Sequence, residues 1–362
     1  MVVYKPMTGD SPLSGLITSP GDLPPVLAAS LSVEEREWIK KLKTKGLPFA
    51  VTPHFASLAA PERSDPIRRQ FMPDPLESRI DPFALDDPLG EKHFRITPRL
   101  VHQYRDRALL LAGGTCAGFC RYCFRRVRMS SPSGFIGREE LKPVLEYLAS
   151  HGEIREILVS GGDPLTAANN TLEELFQSLR RASPGITIRL CSRVPITSPT
   201  RIDSETIALL VKNRPLKIVT HINHARELAP EARAALGSAV DAGIPVYFQT
   251  VLLRGINDNA KTLAALFREC HALGINSYYL FQLDLAPGTA HFRVPLKKGI
   301  AIYNELKLLV PDFSLPAYAV DLPGGGGKIR LHENIIAGEE NRSGGKVYLL
   351  KDSSEKLWEY PI

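Results

Sequence analysis

Cys116-Ala117-Gly118-Phe119-Cys120-Arg121-Tyr122-Cys123 stands directly behind the apolar run Ala108-Leu109-Leu110-Leu111-Ala112. The spacing C-x3-C-x2-C puts three soft thiolate donors at the exit of what reads as a β-strand. A cubane iron–sulfur cluster held by three thiolates keeps one iron open to another ligand, whereas a structural zinc asks for a fourth protein donor. Cys191 and Cys270 are far away in the chain and supply no paired second half. Two plainer readings stand beside the cluster: a loop with incidental cysteines, and a zinc turn completed by a distant histidine.

Outward from this stretch the chain has a rhythm. Apolar, β-rich runs fall at 107–112, 155–160, 186–191, 216–221, 245–252 and 277–283. After the first, the starts recur at roughly the thirty-residue pitch of a βα unit. Helical patterns lie between them, at 139–150, 172–181, 204–212, 230–242 and 260–273. Alternation of this kind predicts a parallel sheet with helices outside it. Six units fall two short of a closed eightfold barrel, so the predicted fold is an α/β partial (βα)6 TIM-like barrel. Polar residues cluster where these strands end: Ser160-Gly161-Gly162-Asp163, Ser192-Arg193, His221-Ile222-Asn223-His224, Gln249 and Asp284. In β/α barrels that rim builds the active site.

The flanks are read as an irregular, partly helical N-terminal extension over 1–100 and a C-terminal segment over 291–362, with the barrel at 101–290. Residues 1–30, rich in Pro, Ser and Gly, are expected to be poorly ordered. Ser32-Val33-Glu34-Glu35 has capping-box spacing and predicts a helix over 32–45. Residues 46–100, full of Asp-Pro steps, predict a wrap of turns and short helices. A helix is expected over 297–309 and a closing hairpin over 346–360.

With 362 residues, 44% hydrophobic and 23% charged, the composition is that of an ordinary globular protein. No apolar stretch reaches the ~18 residues of a membrane span. The N-terminus lacks a secretory h-region, and five cysteines do not form a disulfide framework, so a reducing, cytoplasmic setting is expected. A net charge of +6 without a basic run argues against a nucleic-acid binder.

Leu322-Pro323-Gly324-Gly325-Gly326-Gly327-Lys328 is the second unusual stretch. It is no phosphate-binding P-loop, because Ile329 follows the lysine. It reads either as a tolerant surface loop or as a flexible arm carrying an amine that could form a Schiff base with an aldehyde.

With Tyr122 just before its third cysteine, the triplet resembles the radical S-adenosylmethionine superfamily. Cys123-Phe124-Arg125-Arg126 and Val320-Asp321 through Lys328 are similar to the lysine 2,3-aminomutase family, with the likeness running over 48–360 and taking in 65–70 and 255–259. The resemblance implies a [4Fe-4S] cluster on Cys116, Cys120 and Cys123 whose open iron binds S-adenosylmethionine and yields a 5′-deoxyadenosyl radical. It places Gly161, Gly162, Asp163, Ser192, Arg193 and Gln249 at that cofactor. Lys328 would hold pyridoxal 5′-phosphate, with Tyr104 and Arg107 as further contacts. Arg125 would take the substrate carboxylate, and Asp284 and Asp321 its distal ammonium.

The implied activity is an isomerase interconverting L-lysine and β-lysine, served by an external electron donor such as flavodoxin or ferredoxin, in a homo-oligomer. The alternatives are action on a lysine of elongation factor P and, in another class, a zinc-stabilised binding protein without turnover. Departures are informative. The C-terminal zinc cysteines of the longer aminomutases are missing, Asn259 stands where their partner cysteine would be, and Gln103 replaces an arginine. The short relatives acting on elongation factor P also lack the zinc but do not share the 321–328 segment, which points toward free lysine.

Overall fold

The computed structural model describes residues 15–42, 46–130, 134–352 and 354–362. One ten-stranded sheet organises it, with its strands in sequence order. These are β1 (Arg95–Thr97), β2 (Leu100–Tyr104), β3 (Arg107–Gly113), β4 (Glu156–Gly161), β5 (Thr187–Cys191), β6 (Leu216–His221), β7 (Val246–Val251), β8 (Asn276–Phe281), β9 (Ala317–Leu322) and β10 (Gly327–Arg330). Pairing is parallel from β3 to β9 and antiparallel at both ends.

The six expected parallel strands are β3 to β8, and β9 adds a seventh. Its pitch hid it: a long loop over 282–295 precedes the helix Leu296–Lys307, so β9 starts well beyond the thirty-residue step. The crossover helices are Arg138–Ser150, Asn169–Ala182, Ser204–Lys212, Pro230–Asp241, Ala260–Ala272 and Leu296–Lys307. Alternation divides each strand between two faces. Ile157, Val159, Ile188, Leu190, Ile218, Tyr318 and Val320 join the buried core against the helices. The intervening residues face a lumen.

The sheet curls. Arg189 on β5 donates from Nη1 to the Tyr278 hydroxyl on β8 at 3.3 Å, although β6 and β7 lie between them. The sheet's two ends also meet, through side chains rather than a strand ladder. Gln103 Nε2 donates to the Gly325 carbonyl at 3.2 Å, and the Lys328 N–H donates to the Tyr104 hydroxyl at 3.2 Å.

The helix expected over 32–45 spans Val33–Leu42, with 43–45 outside the described residues. Its capping box forms in both directions between Ser32 and Glu35. Residues 1–14 also lie outside the described residues, but 15–30 are ordered, contrary to expectation. Ile17 pairs with Val51, and Leu27 is buried from the helix Pro25–Ser30, so apolar anchors overrule the Pro/Ser/Gly composition. The closing hairpin is β12 (Gly345–Lys351) with β13 (Leu357–Pro361), and β11 (Ile336–Arg342) completes a three-stranded sheet. Among the described residues no helix is long and apolar enough to cross a membrane.

Candidate active site

The cysteine loop is fastened to the N-terminal wrap by its own arginines. Fully buried Arg121 donates to Glu77 through Nε (2.8 Å) and Nη2 (2.5 Å) and to the carbonyls of Leu47 and Pro48. Arg126 reaches the same carboxylate at 2.6 Å and the Gly288 carbonyl at 3.0 Å. Burial alone would raise the Glu77 carboxyl; the two guanidiniums more than offset it and hold it below its ordinary value. Main-chain bonds from Phe119 to Ala50 and from Arg121 to Gln70 lay the loop along the wrap.

Within this loop Cys116 and Cys123 pack on Leu47, Ala50, Phe119 and Met129, while Cys120 lies against the cluster containing Tyr122. Burial raises Cys116 well above the usual thiol range, with Asp163, Cys123 and Cys120 adding to it. Cys123 is pushed up to about 11 by burial and then by Cys120. Cys116 and Cys123 are thus within electrostatic reach of each other and of Cys120, and a bound metal would favour their thiolate forms. Among the described residues, no three His, Cys, Asp or Glu side chains are gathered tightly enough to hold one ion.

Gly161 closes β4, and Gly162-Asp163 after it pack against the start of the cysteine loop. A Cβ on Gly162 would stand 2.0 Å from the Thr115 carbonyl oxygen, and one on Gly161, at φ +111°, 2.4 Å from that of Gly113. Both glycines are required by backbone meeting backbone. The Asp163 carboxylate accepts from Ser192 Oγ (2.6 Å) and from the N–H groups of Leu165, Arg193 and Val194, which fixes the turn after β5. Arg193 in turn donates from Nη1 to Cys120 Sγ at 2.8 Å. On β7, Gln249 bonds through Nε2 to His221 Nε2 at 2.6 Å. Burial, then Arg193 and Arg125, press that imidazole down to about 3, so it is neutral.

The other half of the site comes from β8 to β10. Lys328 Nζ donates to Asp321 Oδ2 at 2.5 Å and lies 4.0 Å from the ring centroid of Phe281 and 5.1 Å from that of Tyr279. Four glycines precede it, but not as a loose arm. Gly324, Gly325 and Gly327 have positive φ. The Gly324 N–H donates to the Pro88 carbonyl, and a Cβ on Gly326 would strike Trp358 at 2.8 Å. The glycines let the segment thread between the wrap and the closing sheet.

Arg125 bonds Glu91 through Nε (3.2 Å) and Nη2 (2.5 Å). Asp284 joins the halves: burial, and next Asp321, push its carboxyl up to about 8, against the pull of Lys328 and Arg125. Arg125 thus lies within electrostatic reach of both Cys123 and Asp284, and Asp284 within reach of Asp321 and Lys328. Arg107 begins β3, at the opposite end of that strand from the triplet, with its guanidinium 4.1 Å from the Tyr104 ring centroid. Sequence reasoning missed Glu77, Glu91 and Glu227, which no motif marks; Gln70 ends the 65–70 stretch of the likeness but was given no role. His221 was noted only as a strand-end residue.

The Radical SAM superfamily profile matches residues 110–267. A relative from Treponema pallidum, provisionally named L-lysine 2,3-aminomutase, is 45% identical over 78% of this chain and 80% of its own. The L-lysine 2,3-aminomutase of Fusobacterium nucleatum is 39% identical over 82% of this chain and 70% of its own, and that of Clostridium subterminale 35% identical over 86% and 75%. The site is that of a radical S-adenosylmethionine enzyme. More narrowly, the chain belongs to the lysine 2,3-aminomutase family, whose cofactors are a [4Fe-4S] cluster, S-adenosylmethionine and pyridoxal 5′-phosphate, and the zinc-stabilised, non-catalytic alternative falls away.

Proposed function

We propose that this protein interconverts L-lysine and β-lysine. The observation that carries the reading is the pair Asp284 and Asp321, the second bonded to Lys328 Nζ at 2.5 Å and the first within electrostatic reach of Asp321, Lys328 and Arg125. When bound, the cluster with S-adenosylmethionine supplies a 5′-deoxyadenosyl radical, and pyridoxal 5′-phosphate supplies a carbonyl that captures an amino nitrogen.

The chain's own residues do the rest. Asp321 is the resting counter-ion of the Lys328 ammonium. With pyridoxal 5′-phosphate held by Lys328, the Asp321 carboxylate would be available, together with Asp284, to the distal ammonium of a substrate. Glu91 takes the Nε and Nη2 side of Arg125, leaving Nη1 for the substrate carboxylate. Tyr104 fixes the backbone of Lys328, so the amine stays over Phe281. Glutamate, the substrate named for a Clostridioides difficile relative at 32% identity, would bring a distal carboxylate to an acidic pair and is disfavoured. An external low-potential flavodoxin or ferredoxin is the expected electron source, in the cytoplasm, with the enzyme a homo-oligomer.

Anaerobically prepared protein should convert free L-lysine to β-lysine, followed by chromatography of the product. K328A should lose the borohydride-trapped pyridoxal adduct. Turnover only of glutamate, or only of a lysine on elongation factor P, sinks the assignment.

A further inference from the structure

Arg193 is held through both terminal nitrogens by partners from several elements. Its Nη2 donates to Glu227 Oε2 at 2.8 Å and to Gln70 Oε1, and its guanidinium lies 4.8 Å from the ring centroid of Phe55 and 5.6 Å from that of Tyr122. Glu227 is fully buried and has no freedom of its own. Its Oε1 accepts the N–H groups of Asn223 and His224, each at 2.9 Å, and Gln70 Nε2 at 2.8 Å. The backbone N–H of Arg193 is pinned by Asp163 at 2.7 Å. The wrap, β4, β5 and β6 thus converge to aim one nitrogen, Nη1, at Cys120 Sγ 2.8 Å away.

We infer that Arg193 is a positioning residue for electron entry, setting the reduction potential of the cluster through a fixed cation and an N–H···S hydrogen bond on Cys120. The inference rests on the triplet being the cluster site. Cluster potentials follow the hydrogen bonds to the sulfurs and the net charge around them. Taking one electron from an external low-potential donor adds a negative charge to the cluster. A guanidinium that is always protonated, buried beside one ligand, stabilises that reduced state. The fork geometry explains arginine: one nitrogen serves the sulfur while the other keeps its grip on Glu227 and Gln70. Lysine has a single nitrogen and cannot do both.

The test is a redox titration of the anaerobic holoenzyme, reading the reduced-cluster EPR signal against applied potential. R193Q should move the midpoint to more negative potential, so that at the wild-type midpoint a minority of its clusters is reduced, and R193K should fall between the two. R193Q with wild-type iron and sulfide content and an unmoved midpoint overturns the proposal; a purely structural role would lower cluster content without moving the midpoint of the clusters that remain. Should R193Q fail to keep its cluster, the wild-type protein still decides. Arginine carrying heavy nitrogen in its guanidinium should show hyperfine coupling to the reduced cluster, lost in R193K, and no coupling in the wild type refutes the inference. A wild-type chain that assembles no iron at all would instead strike at the cluster reading itself.

Discussion

Lys328 on β10 and Asp321 on β9 are direct cross-strand partners, and their side chains close to 2.5 Å between Nζ and Oδ2. Antiparallel register alone brings them together, although six residues of chain, four of them glycine, separate them. The ring of Phe281 lies beneath the ammonium. A cation held this way has one counter-ion to give up when it reacts, and that counter-ion is a carboxylate suited to a second ammonium.

D321N keeps the shape and removes the charge. Loss of one charge-assisted hydrogen bond to the substrate ammonium costs about 1.5–3 kcal/mol. The KM for lysine should therefore rise roughly 10- to 100-fold, with the pyridoxal adduct on Lys328 still formed. Steady-state kinetics read this, and an unaltered KM removes Asp321 from substrate binding.

Asp284 gives a pH dependence of definite sign. Burial and then Asp321 raise it to about 8, so below that pH it is neutral. The side-chain ammonium of lysine, with a pKa of about 10.4, stays charged throughout. Binding it favours ionised Asp284 and releases a proton, so the apparent KM should fall as pH climbs toward about 8 and then level off. D284N should flatten that profile. For stability, a carboxyl raised above its unfolded value of about 3.9 contributes fully below that pH and loses the contribution progressively as pH rises to about 8. D284N should accordingly gain in Tm over the wild type on the alkaline side, measured by scanning calorimetry.

G162A should damage the cluster site without touching a ligand. The added methyl would sit 2.0 Å from the Thr115 carbonyl oxygen, one residue before Cys116. Overpacking of this kind costs about 1–3 kcal/mol or more, and the expected readouts are a lowered Tm and fewer irons per chain. G237A is the control: its Cβ would meet nothing within 4 Å in the helix Pro230–Asp241, so it should be neutral or gain up to about 1 kcal/mol. Equal iron content in the two variants would show that the Gly162 contact does not shape the cysteine loop.

The sequence by itself determined what neighbouring residues can encode. The triplet needs only its own spacing, the six strands only alternation and βα pitch, and the lysine only the glycines before it. β9 escaped because a long loop stretches the pitch. The glycines misled because their composition reads as flexibility, while packing by Pro88 and Trp358 makes them a tight passage. Tertiary structure alone decided the partners. Glu77 holds two arginines of the cysteine loop from 44 and 49 residues away, Glu91 holds Arg125 from 34, and Glu227 joins Gln70 across 157. Nothing local distinguishes these acids from others on the surface. They acquire roles because closing the sheet and laying the wrap across its rim buries charges, and a buried charge must find its partner wherever the chain has brought one.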